Sequence, residues 1–151
     1  MKKIIALVLA LVCVLGLIGC SQNKAVSIEF PFEIEDVSSN EMYHCAGTPG
    51  YVEKKTIDAE DDIKTVYDMF ERLSFTTKSA KETAGATTTS FRFNLADGTS
   101  YELTYIGYGV KNGTLKSSTG NFEYFATADI GAAWSNVDVE AVQVEASELP
   151  Q

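Results

Sequence analysis

Cysteine, histidine and basic residues are scarce in this chain, and each scarcity excludes a class of function. Three cysteines and one histidine are few donors for a metal site of imidazole or thiolate ligands. Twelve basic residues face 21 acidic ones, for a net charge of −9, and a surface this acidic repels phosphate backbones. We therefore expect no metal, no cofactor and no nucleic-acid partner.

Long apolar runs are absent too, except for one at the amino terminus. Residues 4–18 are apolar and follow Lys2 and Lys3, a pattern typical of an export signal and shorter than the roughly 20 residues of a membrane-spanning helix. The run ends in Leu-Ile-Gly-Cys at residues 17–20, which resembles the lipobox of bacterial lipoprotein precursors. In that family the cysteine thiol takes a diacylglyceryl group, with palmitate-like chains, and the bond before it is cut. The alternative is an ordinary cleaved signal peptide with a coincidental cysteine.

This resemblance implies that residues 1–19 are a signal peptide, that Cys20 is the lipidation site and that residues 20–24 form a short tether. The acyl chains would hold the protein on the outer face of the cell membrane without any apolar surface of its own. Loss of the signal removes Lys2 and Lys3 and changes the net charge from −9 to −11. Cys45 is then the one remaining free thiol, so no intramolecular disulfide can form.

The remaining chain, residues 25–151, has the patterns of a single α+β domain. Alternating apolar residues predict strands over 26–34, 42–46, 51–57 and 121–126. Asp58, with Asp61 three residues later, predicts a capped helix, and Thr127 is the expected cap of a second one. We predict a single antiparallel β-sheet with one long helix (about residues 59–73) and one short C-terminal helix (about residues 128–135) packed on one face. The acidic tail from Asp138 to Gln151 either forms a last strand or frays, and in the second case disorder is expected after about residue 145.

Two β-hairpins are predicted in the centre of the domain. A three-residue loop at Ala96, Asp97 and Gly98 pairs Phe91 with Leu103 and Phe93 with Tyr101, which keeps the apolar residues on one face. It also places Arg92 opposite Glu102. A second turn is expected at Asn112 and Gly113, and residues 76–89 are expected to form an exposed loop.

The run from Phe91 to Tyr101, FRFNLADGTSY, after an acid-capped helix, resembles small lipoproteins of Gram-positive gut bacteria of the Clostridia type. They carry a domain of unknown function with the same order of elements. The resemblance covers most of residues 25–137 and implies a compartment and an architecture. It implies no catalytic or binding residue.

Candidate chemical groups in the domain are few. His44 and Cys45 are adjacent, so in a strand their side chains point to opposite faces and cannot act together. One acidic run suggests a calcium site but enters a helix and lacks the EF-hand pattern, so helix capping is the alternative; it comprises Asp58, Glu60, Asp61 and Asp62. A second run suggests a cation patch, with an exposed strand face as the alternative; it comprises Glu29, Glu33, Glu35 and Asp36. A serine nucleophile would lack the G-x-S-x-G motif.

Aromatic residues are more numerous than one sheet face can bury, so part of the set is expected to form an exposed patch. The set comprises Tyr101, Tyr105, Tyr108, Phe122, Tyr124 and Phe125. We take Tyr101, Tyr105, Tyr108 and Tyr124 as the candidate binding surface, with core filling as the alternative. The expected function is a non-enzymatic, membrane-anchored binding module for a protein, peptide or glycan. The alternatives are an inhibitor of a secreted or envelope enzyme, acting through the loop at 76–89, and a small envelope hydrolase.

Overall fold

The computed structural model describes residues 24–47, 50–81 and 83–150 of the chain. The predicted signal peptide, residues 1–19, and the predicted lipidation site, Cys20, lie outside these residues. No helix in the described part of the chain has both the length and the apolar character needed to cross a bilayer.

Nine strands within the described residues form one antiparallel sheet, and two helices accompany it. The helices are α1 (Glu60–Arg72) and α2 (Ala133–Asn136), the latter preceded by a 3-10 turn at Ile130–Ala132. The order across the sheet is β1-β4-β8-β7-β6-β5-β2-β3-β9. The predicted α+β class with a single antiparallel sheet is confirmed. In chain order the strands are β1 (Ala25–Val26), β2 (Val37–Cys45), β3 (Val52–Ile57), β4 (Phe75–Thr76), β5 (Thr87–Leu95), β6 (Ser100–Gly109), β7 (Asn112–Ser117), β8 (Phe122–Ala126) and β9 (Val142–Val144).

The hydrophobic core lies on one face of the sheet, which we call the inner face. Met42, Phe91 and Leu103 of the central strands are fully buried there. Helix α1 covers them with an apolar stripe at helical spacing, and the ring of Phe70 meets that of Phe91 edge-on at 4.9 Å. Ile130 and Ala133 belong to the same buried cluster, so α1 and the 130–136 segment share the inner face.

Both helices are shorter than expected. Helix α1 has 13 residues and begins after Ala59, and no side chain caps it. The predicted Asp58 cap is therefore wrong, although three acidic residues still occupy the first turn, where they favour the helix dipole. Helix α2 has four residues and also lacks a side-chain cap, so the predicted Thr127 cap is wrong as well.

The predicted strand over 26–34 is wrong beyond its first residue. Only Ala25 and Val26 pair with a neighbour, β4. The following segment crosses the inner face between α1 and the sheet, where the ring of Phe30 lies 4.7 Å from Tyr67 and 5.2 Å from Phe93. The alternation of apolar residues here reflects burial against the core rather than strand pairing, and Pro31 has no N–H to give to a ladder.

The hairpin between β5 and β6 has the predicted register. Phe91 pairs with Leu103, Arg92 with Glu102 and Phe93 with Tyr101. The loop has three residues, because the N–H of Leu95 donates to the carbonyl of Thr99 at 2.9 Å. Gly98 has φ +86°, the left-handed conformation that this loop requires at its last position.

The second hairpin turns two residues before the predicted position. Gly109 pairs with Asn112, so Val110 and Lys111 form the turn, and Lys111 takes φ +56°. Gly113 lies inside β7, opposite Gly107. Its lack of a side chain makes room for the ring of Tyr105, since a Cβ at Gly113 would lie 2.3 Å from that ring. The glycine serves packing rather than the turn.

The carboxyl-terminal segment is folded. Strand β9 pairs with β3, a 3-10 turn follows at Ala146–Glu148, and Pro150 is buried. The segment after β9 contacts the other face of the sheet, which we call the outer face. The loop between β4 and β5 is shorter than predicted, because Thr87 already belongs to β5.

Candidate ligand-binding groove

An open groove of about 460 Å³ lies on the inner face, between residues 27–31 and one end of β8. Tyr101, Phe122 and Tyr124 line it from the sheet. Ile28 and Pro31 line it from the N-terminal segment. The exposed polar side chains that border it are those of Ser27, Glu29 and Thr119.

Strand β8 presents its aromatic side chains because its neighbour β4 is short. Of the described residues of β8, only Phe125 and Ala126 pair with β4, so residues 122–124 have a strand partner only on the β7 side. Phe122 and Tyr124 are two positions apart and therefore share the inner face. Their rings stack with centroids 4.6 Å apart and an interplanar angle of 10°. The stacked pair forms a rigid apolar wall that remains half-exposed.

Gly120 keeps the groove open. A Cβ at this position would lie 2.2 Å from the hydroxyl oxygen of Tyr101 and 2.8 Å from the Phe122 ring. The turn around it is fixed by Ser117, whose Oγ accepts from the N–H of Gly120 at 2.8 Å and donates to the carbonyl of Glu102 at 2.6 Å. A glycine at this position thus allows two aromatic side chains to approach the turn backbone closely.

The hydroxyl of Tyr101 is held in its neutral form. Burial raises the pKa of Tyr101, and a hydrogen bond with Ser117 opposes that shift without reversing it. A neutral phenol can both donate and accept a hydrogen bond. Tyr101 therefore brings a polar atom to a groove whose other sheet-side walls are aromatic.

The four tyrosines predicted as a binding surface do not form one exposed patch. Tyr101 is 6% exposed and Tyr105 is 2% exposed, so both side chains belong mainly to the core. Tyr101 and Tyr124 border the groove. Tyr105 and Tyr108 border a separate cavity of about 250 Å³ with Asp129. Sequence reasoning missed Gly120 and the wall formed by residues 27–31, and it left Phe122 out of the site although it lies two positions from Tyr124.

A second polar arrangement, which we call the arginine network, lies on the outer face. Arg92 donates from Nε to Oε1 of Glu102 at 2.8 Å and from Nη1 to Oε2 of Glu41 at 3.0 Å. Nη1 also contacts the hydroxyl of Tyr43 at 2.6 Å, and Nη2 donates to the carbonyl of Glu148 at 3.0 Å. The Arg92 side chain is 23% exposed, and the side chains of Glu41 and Glu102 are each 18% exposed. The two ion pairs are therefore partly shielded from water.

The arginine network also sets the protonation of its members. Burial alone would raise the pKa of Glu41, but hydrogen bonds from Tyr43 and Arg92 and the charge of Lys54 outweigh it, and that pKa falls below its ordinary value. Burial and the neighbouring Glu41 carboxylate raise the pKa of Tyr43. All members are thus engaged with each other or with the C-terminal segment, and the network fastens that segment to the sheet.

His44 and Lys55 meet Trp134 beside α2. The His44 ring stacks on the indole at 5.3 Å, and its Nδ1 lies 3.2 Å from Oγ1 of Thr89. Lys55 is 9% exposed, and its Nζ donates to the carbonyls of Trp134 and Val137, each at 2.7 Å. Burial lowers the pKa of His44, against the charge of Glu53. These contacts hold α2 against β2 and β3 on the inner face of the sheet, and Trp134 is half-buried.

The other predicted groups stay apart. Strand β2 continues through His44 and Cys45 without a break, so their side chains leave opposite faces, as expected. Of the acidic runs, Glu35, Asp58 and Glu60 border one cavity of about 340 Å³. Within residues 24–47, 50–81 and 83–150, no group of three or more His, Cys, Asp or Glu side chains has an arrangement that could hold a metal ion.

Comparison with known proteins gives no relative. No family model matches the chain, and neither a curated protein nor a solved structure is significantly similar to it.

Proposed function

We propose that this chain is a lipid-anchored, extracytoplasmic binding module that takes a glycan in the groove lined by Tyr101, Phe122 and Tyr124. The observation that carries the proposal is the groove itself, in which a stacked aromatic pair stands open beside a glycine that admits no side chain. Both rings are half-exposed, so a ligand that covers them would gain the free energy of burying their remaining apolar surface.

The chemistry of the groove favours a glycan. A pyranose ring has an apolar C–H face, which packs against aromatic rings, and a rim of hydroxyl groups, which exchange hydrogen bonds. The groove offers the matching pair of surfaces, with two stacked rings on one side and the polar atoms of Ser27, Glu29 and Thr119 at its border. Ligand sites of this type combine apolar walls with a few placed polar groups.

The lipobox at residues 17–20 supports the anchoring. Four residues, 21–24, lie between Cys20 and Ala25 of β1, and an extended chain covers at most about 18 Å over the five steps from Cys20 to Ala25. The groove would then lie close to the membrane, since residues 27–31 form one of its walls.

The inhibitor alternative has less support. The loop between β4 and β5 contacts the sheet, because Oγ1 of Thr83 donates to the carbonyl of Tyr108 at 2.8 Å and the Asn112 side chain donates to the carbonyl of Lys81 at 3.2 Å. A loop held in this way is poorly placed to enter the cleft of a target enzyme.

Glycan binding is tested with the mature protein on an array of cell-envelope saccharides and soluble muropeptides, followed by calorimetry on those retained. We expect Gly120→Ala to weaken binding by about tenfold or more, equal to about 1.4 kcal/mol, because its Cβ displaces Tyr101 or Phe122. Gly131→Ala is the matched control, since its Cβ would have no neighbour nearer than 3.6 Å. Retention of no saccharide, or equal binding by both variants, would contradict the proposal. Binding of peptides alone would replace the ligand class.

The anchor is tested by mass spectrometry of the protein purified from membranes. A diacylglyceryl group on Cys20 as the first residue is the expected result. An unmodified Cys20, or a chain that still begins at Met1, would overturn this part of the proposal.

A further inference from the structure

Charge is divided unevenly between the two halves of the sheet. The half with β1, β4, β8 and β7 and their loops, residues 24–32, 75–86 and 110–131, has five basic residues against four acidic ones. We call it the lysine half. The rest of the mature domain, which we call the acidic half, has five basic residues against 17 acidic ones. The lysine half therefore has a net charge of +1 and the acidic half one of −12, which together make the −11 of the mature chain. The basic residues of the lysine half are Lys24, Lys78, Lys81, Lys111 and Lys116.

The basic residues of the two halves also differ in their partners. In the acidic half, Lys54, Lys64, Arg72 and Arg92 form ion pairs, and Lys55 donates to two carbonyls. All five lysines of the lysine half are exposed, and the structure gives them no ion pair within the residues it describes. The positive charge of the lysine half is thus available to an external partner.

Several of these lysines lie around the outer face of β7 and β8. Lys116 stands between Thr104 and Glu123 in the ladder, and Nζ of Lys78 lies 5.7 Å from the centre of the Phe125 ring. The carbonyl of Lys81 is bonded to Asn112, next to Lys111 in the turn. Lys24 directly precedes the edge strand β1.

We propose that the lysine half rests on the anionic phospholipid headgroups of the membrane that holds the lipid anchor, with the acidic half turned outward. The proposal rests on lipidation of Cys20, which belongs to the proposed function. The tether keeps β1 within about 18 Å of the lipid, a distance of about two Debye lengths at physiological salt. At that distance the surface potential is largely screened, but the same tether lets β1 approach the bilayer, where the potential attracts lysines that come within one Debye length and repels carboxylates turned toward the surface.

The size of the effect follows from the number of charges. A lysine at an anionic surface shifts the ratio of two orientations by about fivefold, so two lysines together shift it by about 25-fold. Strand β2 lies six positions from β1 in the sheet, which corresponds to about 29 Å at 4.8 Å per strand. The domain would therefore stand on its β1 side with β2 and β3 held far from the bilayer.

Trp134 is the single tryptophan of the chain and reports this orientation directly. Its ring packs against His44 of β2 and Lys55 of β3, in the acidic half. Energy transfer from Trp134 to a dansyl group on the lipid headgroups is measured with the acylated, full mature protein in vesicles. We expect low transfer on vesicles of phosphatidylglycerol with phosphatidylcholine, and higher transfer on phosphatidylcholine alone or in high salt.

Two paired variants isolate the lysines. Lys78→Gln with Lys116→Gln is expected to raise transfer on anionic vesicles toward the level seen on neutral ones. Lys64→Gln with Arg72→Gln removes the same charge from exposed positions of α1 and is expected to leave transfer low. All four side chains are exposed, so the fold is preserved, and the salt series on the unaltered protein gives an independent measurement.

The proposal is overturned if transfer is equal on anionic and neutral vesicles, or if both double variants behave alike. Mass spectrometry of the same preparation distinguishes a failure of the proposed orientation from a failure of the proposed lipid anchor. An acylated protein with no preferred orientation refutes only the orientation, whereas a protein without acyl chains refutes the anchor and this inference with it.

Discussion

The substitution Gly113→Ala tests the packing that positions β6 against β7. The Tyr105 ring lies over a cross-strand pair of glycines, Gly107 and Gly113. A Cβ at Gly113 would stand 2.3 Å from Cε2 of the ring and 2.5 Å from its Cζ and hydroxyl. Atoms that are not bonded to each other do not approach so closely, so either the Tyr105 ring or strand β7 must move.

The size of the destabilisation by Gly113→Ala depends on how far the Tyr105 ring can move away from the new methyl group. Tyr105 is 2% exposed, and on the side of Gly107 a Cβ would already be within 3.1 Å of the ring. Overpacking of a core site costs about 1–3 kcal/mol, and this rigid site belongs in the upper part of that range. We expect Gly113→Ala to lower the free energy of unfolding by about 2–3 kcal/mol, a large share of the 5–15 kcal/mol typical of a domain.

Urea denaturation of the mature domain gives the free energies, and a double-variant cycle assigns the cause. In a Tyr105→Leu background the clash is gone, so Ala at position 113 should be neutral or gain up to about 1 kcal/mol. Gly131→Ala, whose Cβ would meet nothing nearer than 3.6 Å, is expected to be neutral or slightly stabilising. An equal cost of Gly113→Ala in both backgrounds would refute this account.

Three further predictions concern polar groups in and around the sheet. Asn40 is fully buried, and its side-chain amide has no hydrogen-bond partner among the described residues; Asn40→Leu should raise the unfolding free energy by about 1–2 kcal/mol, and a loss in urea denaturation would show a partner. Arg92→Met leaves the Glu41 and Glu102 carboxylates without their cation and should cost about 2–3 kcal/mol at pH 7 in the same assay; an unchanged urea midpoint would show that the ion pairs add nothing. Stability should fall as pH drops below about 6.5, because the pKa of His44 is lowered in the fold and the unfolded chain binds the proton first. It should fall again below about 4.5, because the pKa of Glu41 is lowered in the fold and the unfolded chain binds the proton before the folded state does. Urea midpoints from pH 8 to 3 check both steps, and His44→Phe should remove the first.

The local sequence pattern predicted the structure correctly where the apolar residues that are buried also belong to a regular strand or helix. In the β5–β6 hairpin, parity alone required that Phe91 and Phe93 face the same side as Leu103 and Tyr101, and one register satisfies this with the Gly98 turn. Helix α1 was predicted because its apolar spacing is helical over three turns and matches no strand. Both elements are specified by side chains close in sequence.

The sequence pattern predicted the wrong structure where residues are buried in the core but are not paired with another strand. Residues 28–32 alternate like a strand, yet the partners of Phe30 are Tyr67, Phe93 and Tyr101, which lie far away in the chain. Gly113 carried a turn signal, yet its neighbour in space is Tyr105. The sequence shows that a residue is apolar or small. The residue against which it packs is determined by the fold.

The candidate groove shows the same division. Tyr101 and Tyr124 could be selected from the sequence as aromatic residues in excess of the core, but their separation from Tyr105 and Tyr108 depends on the short β4 and on the path of residues 27–31. The arginine network likewise joins β2, β5 and β6 with the C-terminal segment, and only its Arg92–Glu102 pair followed from the hairpin register.

By itself the sequence determined the α+β class, the central hairpin, the first helix and the expectation of a lipid anchor at Cys20, because each depends on residues adjacent in the chain or on their period. Only the tertiary structure decided the groove beside Gly120 and the division of charge between the two halves of the sheet. Both depend on strand order, β1-β4-β8-β7 on one side and β5-β2-β3-β9 on the other, and strand order arises from long-range pairing that no local pattern records.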